Sequence, residues 1–119
     1  MNVLFVCSQN HCRSPTAETL FNRMAGIVAR SAGTDDDAIH PVEPDDIEWA
    51  DLVLAMEQRH AKKLRRHFGK LVAGKIRVLG IRDDYDPDDP LLIDLLQRRV
   101  APLLSRGISK WPLAPDQSN

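Results

Sequence analysis

The chain of 119 residues has only two cysteines, Cys7 and Cys12, with four residues between them. With no second ligand pair to accompany them and His11, neither a disulfide framework nor a zinc site organises the fold. Aromatic residues make up 5%, so no basic surface is interleaved with stacking rings, and a formal net charge of -1 gives no cationic excess. Nucleic-acid binding is therefore not expected. No apolar run approaches the ~20 residues of a membrane span, and the N-terminal one is interrupted from Ser8 to Arg13, too soon for a secretory core. The expectation is a cytoplasmic protein with no membrane partner. In that reducing compartment two cysteines point to chemistry more than to a structural staple. Repeats and linkers are absent too, and the length fits one domain, 1–119.

What is present concentrates at the N-terminus. Val3-Leu4-Phe5-Val6 has the length and β-branched content of a buried strand ending at Cys7. After a turn, Ala17, Leu20, Phe21 and Met24 repeat at helical spacing, with Ser14 suited to cap that helix and Pro15 to open it. The segment Cys7-Ser8-Gln9-Asn10-His11-Cys12-Arg13-Ser14 thus joins a strand's end to a helix's start. Unpartnered N–H groups and the helix dipole make such a place an anion site. A curved run of N–H groups deepens the cradle, and Arg13 can offer two phosphate oxygens a planar fork. The same field favours a thiolate at Cys7, a nucleophile aimed at one phosphoryl group.

The residues Val6-Cys7 through Asn10, Cys12-Arg13-Ser14-Pro15 and Ala17-Glu18 resemble the signature of the low-molecular-weight protein tyrosine phosphatases. Downstream, Ser31-Ala32-Gly33-Thr34 is similar to that family's turn after its second strand, and Ala50-Asp51-Leu52-Val53-Leu54-Ala55-Met56 to its third strand and following Met. The resemblance implies an α/β domain of three layers whose four parallel strands run in the order 2-1-3-4. It implies Cys7 as nucleophile, Arg13 as phosphate clamp, Asn10 and Ser14 as loop and thiolate stabilisers, and a later Asp as general acid. Ser8, Gln9, His11 and Cys12 complete the phosphate loop. Neither metal nor other cofactor is implied, and the partner is a phosphorylated protein or small phosphomonoester.

Two departures suggest a shorter branch of that family. Gln9 stands where Gly is usual, although Asn10 itself tolerates a left-handed backbone. Between Gly33 and His40 the chain also lacks roughly twenty residues that the family uses for one wall of its cleft. The acid lies in Gly80-Ile81-Arg82-Asp83-Asp84-Tyr85-Asp86-Pro87-Asp88-Asp89-Pro90. Proximity to Pro favours Asp86 or Asp89, whereas aligning Tyr85 with the family's Tyr selects Asp83 and makes Tyr85 a substrate contact. Asp88 and Asp89 read as charges at the next helix's start.

Elsewhere, Ile27–Ser31, Leu52–Ala55 and Lys75–Leu79 read as strands. Pro44–Trp49 is a short helix capped by Asp45 or Asp46, and Trp49 is expected in packing. Glu57 to Phe68 is an amphipathic helix with a basic face. Pro90 opens a last helix that Pro102 should bend or end, and residues 106–119, with Trp111 to Asn119, form a loose tail. The reading is a phosphatase for phosphomonoesters, chiefly protein phosphotyrosine, acting through a phosphocysteine, with Cys12 as a redox partner of Cys7. An arsenate reductase on the same scaffold is the alternative, although no resolving cysteine follows Cys12. A non-catalytic phosphate or phosphopeptide binder is the third reading.

Overall fold

The first strand, β1 (Asn2–Cys7), is the axis of the molecule because it is buried on both faces. Val3, Phe5 and Cys7 enter one apolar cluster while Leu4 and Val6 enter another, the two-residue period of a strand covered from both sides. The computed structural model describes residues 1–104; the expected tail lies outside the described residues. Around β1 stand β2 (Val28–Gly33), β3 (Leu52–Ala55) and β4 (Ile76–Val78), all parallel, in the order β2-β1-β3-β4. The implied 2-1-3-4 sheet is therefore present. Its register pairs Cys7 with Gly33 and Val6 with Ala55, so three strand ends meet beside the loop that follows Cys7.

Helices cover both faces. α1 (Arg13–Phe21) and α4 (Pro90–Leu104) send Ala17, Phe21, Leu92, Leu96 and Val100 against Phe5 and Leu54. Phe5 and Phe21 stack with centroids 5.4 Å apart, and truncating either to Ala would cost about 3–5 kcal/mol. On the opposite face, α2 (Pro44–Trp49) and α3 (Gln58–Phe68) pack Ile47, Ala61 and Leu64 on Leu4, Val53 and Ala55. Trp49 packs against this second cluster, with the Arg30 guanidinium 4.1 Å over its ring.

Four local expectations are corrected. α1 begins at Arg13 with Cys12 as N-cap and no side-chain cap, because the Ser14 hydroxyl is engaged in the preceding loop instead. β2 runs two residues further, through Ala32 and Gly33, because its pairing with β1 continues to Cys7. The cap of α2 is Glu43, and Asp46 supplies the return bond of a reciprocal capping box. Pro102 does not end α4, which continues past it to Leu104, the last described residue. The burial of Val100 and Leu104 on one side outweighs the single bond a proline forfeits.

Candidate active site

The loop after β1 is shaped by what braces it. The carbonyls of Cys7, Ser8 and Gln9 accept hydrogen bonds from the N–H groups of Thr34 (2.8 Å), Asp35 (3.0 Å) and Ile39 (3.0 Å). In a planar trans peptide the N–H points opposite its carbonyl. The N–H groups of Ser8, Gln9 and Asn10 are thereby turned away from the 34–39 segment, forming the concave side of the loop. Close approach makes Gly33 necessary. A Cβ there would meet the Ser8 carbonyl oxygen at 2.5 Å and the Asn10 nitrogen at 2.9 Å. The short segment that replaces a longer cleft wall thus acts as the loop's backing.

The residue that takes the left-handed turn is Asn10, with φ of 57°. Gln9 keeps an ordinary backbone, and its amide reaches out to Asp35 (2.5 Å) and Asp37 (3.2 Å). Behind the loop, the buried Asn10 Nδ2 donates to Ser14 Oγ at 3.0 Å. The one proton of that hydroxyl then has two acceptors, Cys7 Sγ at 3.0 Å and the Ala32 carbonyl at 3.4 Å. A thiolate draws it to sulfur, since charge-assisted bonds are the stronger ones.

Arg13 is 3% exposed, although it carries a full charge. Its Nη1 donates to Glu57 Oε2 at 2.5 Å and to the Ile81 carbonyl at 2.7 Å. These bonds leave the Nε–Nη2 edge, which can grip two oxygens side by side, directed to other partners. Glu57, at the N-cap of α3, was not anticipated from the sequence. Its only signal there is its place directly after a strand of a parallel sheet, where such sheets gather their ligand-binding groups. A hydrogen bond from Arg59, then one from Arg13, holds the Glu57 carboxyl down at about 2 in spite of partial burial. It is an anion at every physiological pH.

His60 is a second unanticipated member. It is 1% exposed, and its Nδ1 accepts the Glu57 N–H at 3.0 Å, which places the ring proton on Nε2. That proton goes to Ser8 Oγ at 2.9 Å, freeing the Ser8 hydroxyl to donate elsewhere. Burial first, then the charges of Arg13 and Arg59, lower His60 to about 4, so the neutral form is the working one.

A cavity of about 270 Å³ opens over this loop, lined by Cys7, Ser8, Gln9, His11, Cys12, Arg13 and Asp83. Of the five acidic candidates only Asp83 borders it, with Oδ1 3.8 Å from Arg13 Nε and a side chain 66% exposed. Asp84 pairs with Arg82, Asp89 caps α4 by accepting the Leu91 N–H, and the Asp88 N–H donates to Thr16 Oγ1. Asp86 closes a turn through its carbonyl. Tyr85 lies outside the lining and packs half-buried on the α1–α4 side, while its carbonyl accepts the Cys12 thiol at 3.1 Å. Burial, then the charge of Asp83, pushes the Cys12 thiol up, keeping it protonated beside the more deeply buried Cys7. Among the described residues no three His, Cys, Asp or Glu side chains converge to hold a metal ion.

The Cys-x5-Arg loop stands at the carboxyl ends of a parallel sheet's strands, the place where such sheets bind their ligands. The family model for low molecular weight phosphotyrosine protein phosphatase matches residues 2–43. A protein-arginine-phosphatase of Bacillus subtilis (strain 168) is 31% identical over 97 aligned positions, covering 59% of this chain and 65% of that protein. A probable low molecular weight protein-tyrosine-phosphatase, EpsP, of Ralstonia solanacearum is 27% identical, with 92% of each chain covered. Among solved structures, YwlE arginine phosphatase superposes with a TM-score of 0.70 at 27% identity, over 92% of this chain and 99% of the other. The chain is thus similar to low-molecular-weight protein tyrosine phosphatases, by the family model over its first third and by fold over most of its length.

Proposed function

We propose that the chain is a protein phosphatase that works through a phosphocysteine, with Cys7 as nucleophile, Arg13 as clamp and Asp83 as general acid. The observation that carries this reading is the convergence of all three on one cavity, with the Asn10–Ser14–Cys7 hydrogen bonds behind it. Cys7 Sγ attacks phosphorus in line while the bond to the leaving group breaks, and Asp83 supplies its proton to that group. Water then attacks phosphorus, Asp83 takes a proton from it, and the S–P bond breaks to release phosphate and the thiolate. The N–H groups of the loop and the Nε–Nη2 edge of Arg13 hold the equatorial oxygens throughout. Support also comes from the YwlE structure, a Cys-to-Ser mutant with a phosphorylated active-site serine.

The substrate assigned first is phosphotyrosine in protein. A second, phosphoarginine, is favoured by the lining itself, which among the described residues holds no Phe, Tyr or Trp and sets Asp83 at its edge, as suits a cation rather than a phenol ring. Two relatives bear the name of arginine phosphatases. Turnover of para-nitrophenyl phosphate, phosphotyrosine peptide and phosphoarginine peptide, beside arsenate-dependent thioredoxin oxidation, tests the whole reading. Hydrolysis with a trappable phosphocysteine supports it. Arsenate reduction without hydrolysis would assign a reductase, and phosphate binding with neither activity a binding module.

A further inference from the structure

α3 begins in the active site and runs away from it, and its composition works against its own stability. Gln58–Phe68 carries Arg59, Lys62, Lys63, Arg65 and Arg66 and no acidic residue. Like charges stand three or four positions apart at 59/62, 59/63, 62/65, 62/66 and 63/66, and each such pair repels on a helix surface. Arg59 also lies in the first turn, where the dipole disfavours a cation. Arg59 finds Glu57 at 3.0 Å and Lys63 finds Asp35 at 3.4 Å, but among the described residues Lys62, Arg65 and Arg66 have no carboxylate partner. In a chain of net charge -1 this segregation gives the fold nothing, and a local rule broken without structural gain marks a functional surface.

The geometry of the helix organises these charges. His60, Ala61 and Leu64 are buried toward the sheet, which leaves Arg59, Lys62 and Arg66, at spacings of three and four, as an exposed outward stripe. At ~1.5 Å per residue it extends roughly 10 Å from Arg59, about three residues of extended chain. Its near end is tied to catalysis, because Arg59 and Arg13 share Glu57 Oε2. A substrate chain leaving the cavity along α3 meets this stripe within a few residues.

We propose that the Arg59–Lys62–Arg66 stripe docks an acidic segment of the phosphorylated polypeptide, with carboxylates about three to six residues from the phosphorylated side chain; this rests on the phosphatase reading above. A polypeptide fits better than a nucleic acid because the stripe is short and continuous with the cavity, three cations in about 10 Å rather than an extended basic groove tracking a backbone. Paired phosphopeptides with Glu or Ala at those positions, on either flank, test it. In low salt the acidic peptides should show a kcat/KM roughly fivefold to tenfold higher, mostly through KM, and the advantage should fade near 0.5 M salt. Lys62→Glu/Arg66→Glu should abolish the preference while para-nitrophenyl phosphate turnover stays unchanged. Fluorescence anisotropy of the same peptides on a Cys7→Ser protein reads docking without turnover. Equal handling of both peptides, a preference that survives the double reversal, or stronger competition at the stripe by a single-stranded RNA oligomer would overturn the proposal. Loss of para-nitrophenyl phosphate turnover from the unaltered protein would instead strike the phosphatase reading, and the anisotropy would still judge the stripe.

Discussion

The two walls of the cavity are built on opposite plans. On the Cys7–Ser14 side the side chains of Asn10, Arg13 and Ser14 are buried, each holds a named hydrogen bond, and the carbonyls are pinned by the 34–39 segment. On the 83–89 side Asp83 is largely exposed, its nearest cation lies beyond hydrogen-bond reach, and the loop touches α1 through Tyr85 and Asp88 backbone groups. Rigid donors suit a charge pattern that is the same at every turnover. An acid must instead meet leaving groups of different size, and a loosely supported arm can do that. The comparison teaches that binding and proton transfer are separable here, and substitutions on the two walls should fail differently.

The most severe test falls on the buried wall. Cys7→Ser should lower turnover by roughly 10⁴-fold or more yet retain phosphate binding measured by calorimetry, because the cradle survives the loss of the nucleophile. A rate near that of the unaltered protein would remove Cys7 from the mechanism. Arg13→Lys keeps the charge but loses the fork, so kcat should fall by about 10²–10³. Normal rates in that variant would show that a point charge suffices and that the Glu57 bracket positions nothing.

The exposed wall should respond to the substrate. Asp83→Asn is expected to slow phenyl phosphate by roughly 10² and para-nitrophenyl phosphate less, since the better leaving group needs less help from an acid. Asp86→Asn should alter neither appreciably, its side chain lying outside the lining. If the pattern reversed, the acid would be Asp86, and the contrast between the walls would have to be redrawn.

How far the sequence announced this site follows from where the information resides. The strand, the anion-binding turn and Cys7 with Arg13 lie within the eleven residues Val3 to Arg13, and local patterns sufficed for them. The proposed acid, Asp83, was reachable only through register, since five aspartates in seven residues carry no local distinction. Glu57 and His60 were out of reach because their meaning is purely tertiary. One grips Arg13 from 44 residues away and the other Ser8 from 52. Ser14 was read in two ways, as a helix cap from the local pattern and as a thiolate stabiliser from the resemblance; only the cap reading fails, because the hydroxyl lies against Cys7. The sheet order needed the family resemblance, while which helix covers which face became visible only in the split of β1 side chains between two cores.

His60 joins the rigid wall to α3, and its removal should be felt in two ways. His60→Ala should lower kcat/KM about tenfold by releasing the Ser8 hydroxyl, and His60→Gln, which can place an N–H near Nε2, should recover part of it. The unfolded state takes up a proton at the ordinary value of 6.5 whereas the folded one resists until about 4. Unfolded chains therefore bind more protons in that window, and stability falls as pH drops from 6.5 to 4, by about 3 kcal/mol. Below it, the Glu57 contribution is lost in turn as pH falls from 4.5 through about 2. Denaturant melts across pH should show the upper slope vanish in His60→Gln; a slope unchanged by that substitution would assign the acid sensitivity elsewhere.

The smallest effect on rate is expected at Cys12, where the two walls touch. Its thiol donates to the Tyr85 carbonyl, so Cys12→Ala should leave basal turnover within about twofold. Under peroxide the variant should behave differently. Oxidation converts the Cys7 thiolate to a sulfenic acid; attack by Cys12 sulfur then forms the S–S bond and releases water, protecting Cys7 from further oxidation. That attack requires Cys12 as thiolate, and burial together with Asp83 pushes its thiol up, so trapping should be slow at neutral pH and quicken as pH rises. Forming the bond also draws Cys12 from the Tyr85 carbonyl, which loosens the acid-bearing loop and ties the redox state of one wall to the position of the other. Mass spectrometry after peroxide at pH 7 and pH 9 should find a Cys7–Cys12 link, more at the higher pH, and reductant should restore the unaltered protein but not Cys12→Ala. No link at either pH, with equal recovery of both proteins, would reduce Cys12 to a packing residue that happens to line the cavity.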